Sequence, residues 1–248
     1  MSTASTVFRY AVALGLASMA LYAGTGRRRD PDVTRKGARF LLGLGDFLMH
    51  WFMWVISPVE RLALRLHATP DLFNLLGLIF GLVSGLLVAS GELPLAGWAI
   101  LVGGVCDILD GRVARATGVD SAYGKFIDST LDRFAEVFLF LGSAYFLRLA
   151  PLGSVIVVAA LAGSLLTSYA RARGESLGVT CREGLMQRPE RLVLIGLACL
   201  TDTAFGEWRG KPQGTLLCWV MILLAVAGMM TAIYRTVWIS RQLRRSST

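Results

Sequence analysis

Residues 94–148 read PLAGWAILVGGVCDILDGRVARATGVDSAYGKFIDSTLDRFAEVFLFLGSAYFLR. Two apolar runs, 94–110 and 126–148, flank a polar joint. Each is long enough, or nearly so, to cross about 30 Å of hydrocarbon at about 1.5 Å per residue. The stretch predicts two membrane helices joined by a short connection. Asp107, Asp110, Asp128 and Asp132 stand at the ends beside that joint. An ionised carboxylate in hydrocarbon costs about 2.5–3.5 kcal/mol on insertion scales, so four of them together need a counter-charge.

The same alternation continues in both directions. Apolar segments recur at 72–92, 151–171, 191–206 and 214–238, with short polar joints between them. Of 248 residues, 54% are hydrophobic and only 17% charged, and the mean hydropathy is +0.58. These values argue against a soluble domain and predict an all-α integral membrane protein, a six-transmembrane-helix bundle forming one domain. Gly77, Gly81 and Gly85 recur at four-residue spacing in the first segment. A neighbouring helix can approach closely there, whether from the same chain or from a second subunit.

Two further pieces lie upstream. Residues 7–25 are apolar and precede GRRRD, which suits a signal anchor or an extra crossing better than a cleaved signal. We expect an extra N-terminal helix there, within a hydrophobic and basic extension over 1–38. Residues 39–67, which include FLMHWFMWVISPVERLALRLH, mix aromatics with Arg61, Arg65 and His67. That composition predicts an interfacial amphipathic helix lying along the membrane surface.

The formal charge of +8, from 25 Lys+Arg against 17 Asp+Glu, would suggest nucleic acid in a soluble chain. Here the cations flank apolar runs, so they report topology and contact with anionic lipid, and no nucleic-acid partner is expected. Alternate joints and the C-terminal tail hold Arg112, Arg115, Lys125, Arg171, Arg173, Arg182, Arg188, Arg191, Arg241, Arg244 and Arg245. The opposite joints hold Arg148, Arg209 and Lys211. The positive-inside rule then predicts a multi-pass protein of the inner, cytoplasmic membrane, with the aspartates and the basic tail, 241–248, facing the cytoplasm. Cys106, Cys181, Cys199 and Cys218 have no paired spacing and His50 and His67 are isolated, so thiol and zinc chemistry are not expected.

On a helix, Asp107, Asp110, Gly111 and Ala114 fall at i, i+3, i+4 and i+7, a single stripe. Gly124, Asp128 and Asp132 repeat the device at i, i+4 and i+8. One aspartate at a helix end is ordinarily a cap. Four on two matched faces repel one another and call for protons, arginines or metal ions. Hard carboxylate oxygens without His or Cys point to Mg²⁺ or Mn²⁺, and four suffice for a two-metal site of the kind used in phosphoryl transfer. Arg115 could reach a phosphate. A divalent-cation transporter would also place carboxylates among helices, but transport sites lie nearer the bilayer midplane between broken helices.

The pattern Asp107-x-x-Asp110-Gly111-x-x-Ala114-Arg115, followed after eight residues by Gly124-x-x-x-Asp128-x-x-x-Asp132, resembles the signature of the CDP-alcohol phosphatidyltransferase family, with every fixed position filled. The resemblance spans roughly 56–240 and implies a catalytic domain over 68–240. It implies metal-dependent transfer of a phosphatidyl group from a CDP-lipid, CDP-diacylglycerol, to an acceptor alcohol, with release of CMP. Asp107, Asp110 and Asp128 would then be metal ligands, and Asp132 both a ligand and the base that takes the hydroxyl proton. Asp107, Gly111, Arg115, Ser121 and Gly124 would contact the CDP-lipid. The segment TPDLFN resembles the family's nucleotide-contacting helix start, which adds Asp71, Leu72, Phe73 and Asn74; Asn74 falls where relatives often have Thr. The family also carries the expectation of a homodimer.

The acceptor is suggested by a second stretch. SYARARGESLGVTCREGLMQRPERL, residues 168–192, resembles the corresponding region of bacterial phosphatidylinositol phosphate synthases, with Gly174 in place of a common Ala and Gln187 in place of Glu. Arg235 aligns with an arginine of the same group. The resemblance implies inositol 1-phosphate as acceptor, its phosphate held by Arg171, Arg173, Arg188, Arg191 and Arg235, because guanidinium groups hold phosphate through two hydrogen bonds at once. Glycerol 3-phosphate asks for the same clamp and is the alternative; the glycerophosphate enzymes tend to read D-P-x-A-D-K where this chain reads DSTLDR.

Overall fold

The computed structural model describes residues 3–24, 44–119, 121–181, 183–184 and 186–246. Arg182, Asp120 and residues 25–43 lie outside them, and with them the GRRRD run and the first residues of the expected interfacial helix. Among the described residues eight α-helices follow in order: α1 Thr3–Gly24, α2 Leu44–Arg65, α3 Pro70–Ala89, α4 Leu93–Thr117, α5 Ala122–Phe146, α6 Gly153–Ser176, α7 Arg188–Arg209 and α8 Thr215–Ser246. A short 3₁₀ turn, Leu147–Leu149, follows α5. No strand occurs among the described residues.

Helices cover the predicted apolar segments apart from their outermost residues, and the described parts of the two upstream pieces apart from Leu66 and His67, which form a turn. Among the described residues four helices are long and apolar enough to cross a membrane: Pro70–Ala89, Leu93–Thr117, Gly153–Ser176 and Thr215–Arg245. Helices α5 and α7 fall short because they carry charges, Asp128, Asp132 and Glu136 on one, Arg191 and Asp202 on the other. The chain is a multi-pass membrane protein, and α5 and α7 bury Glu136, Arg191 and Asp202 within it.

The chain divides into two compact units. The first comprises Met1–Leu72 and Ile108–Asp120. In it Tyr22 of α1 stacks against Phe47 and Trp54 of α2, with ring centroids 5.7 Å away in both cases, and Trp51 Nε1 donates to Ser18 Oγ at 3.0 Å. Pro58 lies inside α2 and has no N–H for the carbonyl of Trp54. The hydroxyl of Ser57 donates to that carbonyl instead, at 2.9 Å. The distal part of α4 is tied to α2 by Arg112, whose Nε donates to Glu60 at 2.7 Å.

The second unit comprises Phe73–Asp107 and Ser121–Thr248. Its core is a continuous apolar cluster that includes Val88, Leu93, Ile100, Phe140, Val157, Ile195, Met221 and Leu224. Local signals set the helix ends. Ser121 caps α5 by accepting from the Gly124 N–H at 3.0 Å. The Gln187 N–H donates to Glu190 at 2.7 Å at the start of α7, and Gly210 ends that helix in the left-handed region at φ 61°. Asp202 accepts from Leu216 N at 2.8 Å and Leu217 N at 3.1 Å, which closes the turn into α8.

The glycine spacing of α3 is answered within the chain. A Cβ on Gly85 would run into the carbonyl of Phe138 on α5, and one on Gly81 into Ala135, while Gly77 meets nothing. Gly85→Val is therefore expected to lower the unfolding temperature in detergent by several degrees, because overpacking at a backbone contact costs about 1–3 kcal/mol or more. Gly77→Ala is expected to leave it unchanged in the same scan.

Candidate active site

Residues 94–148 fold as α4 from its second residue, a short joint, the whole of α5 and the start of the 3₁₀ turn. Asp107 and Asp128 are half-buried and present carboxylate oxygens within 4.8 Å of each other. Asp110 follows Asp107 by one turn of α4 and is buried. Asp132 follows Asp128 by one turn of α5. Two ligands on one Mg²⁺ or Mn²⁺ stand at most about 4.2 Å apart when each bond is about 2.1 Å. The Asp107–Asp128 spacing thus needs only a small side-chain adjustment, and the donors are the hard oxygens such a cation prefers, so these residues fit a divalent metal.

A cation of the chain itself also reaches the carboxylates. Arg188, on the first turn of α7, places Nη1 2.6 Å from Asp107 and 2.7 Å from Asp132. Burial opposes its charge, but the two carboxylates outweigh burial and raise its pKa above the ordinary guanidinium value. Asp107, Asp128, Asp132 and Arg188 thus converge from three helices within the second unit.

The expected CDP contacts are arranged as follows. Asp71 and Leu72 are exposed on the first turn of α3, whereas Phe73 and Asn74 are buried. Arg115 folds back along α4 so that a Cβ on Gly111 would lie 3.1 Å from its Nη1; the absence of a side chain at 111 makes room for the guanidinium. Ser121 is engaged as the α5 cap, and Gly124 is the residue whose N–H it receives.

The five arginines expected around an acceptor phosphate separate into distinct environments. Arg171 and Arg173 are exposed near the end of α6, and Arg171 pairs with Glu175 at 2.9 Å. Arg188 joins the aspartates. Arg235 is buried, with Nε donating to the Glu183 carbonyl at 2.8 Å and Nη1 to the Thr167 carbonyl at 3.1 Å. Arg191 is also buried, and its charge is met by Glu136 at 3.1 Å. Glu136 and Ser164, which donates to it at 2.6 Å, are not among the residues that spacing or resemblance singles out. A signal for Glu136 is nonetheless present, since it extends the stripe Gly124–Asp128–Asp132 by another four residues.

Comparison with known proteins gives a concordant result. Residues 67–238 match the family model of CDP-alcohol phosphatidyltransferases. The chain is 34% identical over 198 residues to the phosphatidylinositol phosphate synthase of Cutibacterium acnes, covering 75% of this chain and 93% of that one. It is 30% identical over 202 residues to the archaetidylinositol phosphate synthase of Methanothermobacter thermautotrophicus, covering 81% and 98%. Among solved structures, the phosphatidylinositol phosphate synthase of Mycobacterium tuberculosis with CDP-DAG bound superposes with a TM-score of 0.65 at 28% identity, covering 75% of this chain and 93% of that one. The same enzyme in complex with manganese and citrate superposes at 0.63 with 30% identity, covering 73% and 88%. With residues 67–238 matched and a 34% identical relative covered over 93% of its length, the chain belongs to the CDP-alcohol phosphatidyltransferase family.

Proposed function

We propose that this enzyme transfers the phosphatidyl group of CDP-diacylglycerol to the hydroxyl of inositol 1-phosphate and releases CMP. The observation that carries the reading is the convergence of Asp107, Asp128, Asp132 and Arg188 in one unit, on helices whose residues fill the family signature. The similarity to phosphatidylinositol phosphate synthases of several organisms supports this acceptor.

In this reading Asp107, Asp110, Asp128 and Asp132 hold two Mg²⁺ or Mn²⁺ ions. Bound there, the metal supplies positive charge for the pyrophosphate oxygens and acidifies the attacking hydroxyl. Asp132 accepts the hydroxyl proton as the oxygen attacks the lipid-side phosphorus. The bond from that phosphorus to the bridging oxygen breaks, and its electrons leave with CMP. Asp71, Leu72, Phe73, Asn74, Gly111, Arg115, Ser121 and Gly124 bind the CDP-lipid along with Asp107. Arg171 and Arg173, exposed at the end of α6, and Arg188, Arg191 and Arg235 supply the charge that recruits the acceptor phosphate. The positive-inside distribution supports an inner-membrane location with this chemistry on the cytoplasmic side.

The acceptor is tested by measuring kcat/KM for inositol 1-phosphate and glycerol 3-phosphate with purified protein, CDP-diacylglycerol and Mn²⁺. The expected preference for inositol 1-phosphate is at least about 10²-fold, the discrimination available when a site built for several hydroxyl groups is left unpaired by an analogue. Equal or reversed preference would assign the site to the glycerophosphate reaction.

A further inference from the structure

The acidic stripe of α5 does not end at Asp132. Four residues further on stands Glu136, only 2% exposed, in the apolar half of the helix. Its Oε1 accepts from Ser164 Oγ at 2.6 Å and from Arg191 Nε at 3.2 Å. Arg191 is 2% exposed and Ser164 0%, so this group is closed to solvent on three helices, α5, α6 and α7. A buried ion pair is weak evidence of stabilisation, since apolar residues of similar volume often serve as well. The question is what the pair holds in place.

Asp132 and Glu136 are one turn apart on α5, and Arg188 and Arg191 are one turn apart on α7. The two ion pairs are therefore successive rungs between the same two helices. The outer rung, Asp132–Arg188 at 2.7 Å, is partly open, with side chains 23% and 21% exposed, and it shares Arg188 with Asp107. The inner rung, Glu136–Arg191 at 3.1 Å, is sealed, at 2% and 3%. Arg188 meets both aspartates through Nη1, while its Nε is buried without a hydrogen bond. Such a guanidinium is not locked by a two-pronged fork, so its place depends on where the first turn of α7 sits.

We infer that Glu136 is a positioning residue: through Arg191 it holds the first turn of α7 against α5 and so keeps Arg188 on Asp107 and Asp132. The inference rests on the reading that Asp107 and Asp132 belong to the reacting site.

The test is a double-mutant cycle on the full-length enzyme in detergent. Glu136→Gln keeps the side-chain shape and an acceptor for Ser164 but removes the charge that faces Arg191. It is expected to lower kcat/KM for the acceptor by about tenfold or more, with the variant still monodisperse and the KM for CDP-diacylglycerol little changed. In an Arg188→Ala background the same change is expected to cost less than about twofold, because the residue through which Glu136 acts is gone. Full additivity in that background would overturn the inference, as would parental kcat/KM in Glu136→Gln alone. If Glu136→Gln does not fold, Ser164→Ala, which strips a hydrogen bond from the same carboxylate oxygen, is carried through the same cycle with the same criteria. An unmodified chain that is inactive with every acceptor would overturn the functional reading and this one with it, whereas an active chain with additive variants overturns this one alone.

Discussion

Replacing Asp132 by asparagine is expected to slow acceptor-dependent CMP release by about 10²–10⁴-fold, the contribution of a positioned general base, while the protein stays folded. The two side chains have nearly the same shape, and the oxygen of the new amide could still accept from Arg188, which lies 2.7 Å from the Asp132 carboxylate. What an amide cannot do is take a proton or offset the charge of Arg188 and a bound metal. The loss should therefore fall mainly on kcat, with elution and helical circular dichroism unchanged. Initial rates of CMP formation at saturating substrates measure it, and a rate equal to that of the parent would remove Asp132 from the role of base.

Asp128→Ala is expected to raise the Mn²⁺ concentration needed for half-maximal rate by at least about 10²-fold. Loss of an outer-sphere partner of a metal ligand already costs about 10–100-fold in affinity or activity, and a direct ligand should cost more. The Asp107 and Asp128 oxygens lie within 4.8 Å of each other, and two like charges so close favour any cation that bridges them. Titrating Mn²⁺ into chelator-treated enzyme while following CMP gives both midpoints. An unchanged midpoint in Asp128→Ala, or full activity in excess chelator, would detach the carboxylates from metal binding.

Much of the fold is legible in hydropathy, because a chain in hydrocarbon must satisfy its backbone internally and helices do so. The segments expected at 94–110, 151–171 and 214–238 become helices over Leu93–Thr117, Gly153–Ser176 and Thr215–Ser246. The extensions have one cause. Hydropathy marks only the part that crosses, whereas the hydrogen-bond ladder continues through Arg112, Arg173 and Arg241 into polar surroundings. The start of α5 at 122 rather than 126 follows from the Ser121 cap, a local signal weaker than the apolar run. Cys106, Cys181 and Cys199 are buried as small apolar residues, with no disulfide among the described residues.

Within the candidate site, the approach of Asp107, Asp128 and Asp132 is legible from spacing on two helices. The sorting of the arginines is not. Arg171, Arg173, Arg188 and Arg191 lie near helix ends, and composition gives all five the same description; only tertiary pairing sends Arg191 inward to Glu136, Arg188 to the aspartates and Arg235 to the carbonyls of Glu183 and Thr167. Glu136 is hard to pick out because a carboxylate within an apolar run reads as an isolated exception. Its partner lies 55 residues away in the chain. The partner of Gly85 is likewise open until the Phe138 carbonyl is seen against it, since close-packing glycines serve internal and intermolecular contacts equally well.

The most direct measurement of the central claim is the stoichiometry of CMP and lipid product when purified protein meets CDP-diacylglycerol, Mn²⁺ and inositol 1-phosphate. The expected result is one CMP for each phosphatidylinositol phosphate formed, no CMP when the acceptor is withheld, and none in excess chelator. CMP released at the same rate without acceptor, or no CMP with any phosphorylated alcohol, would contradict the proposed reaction.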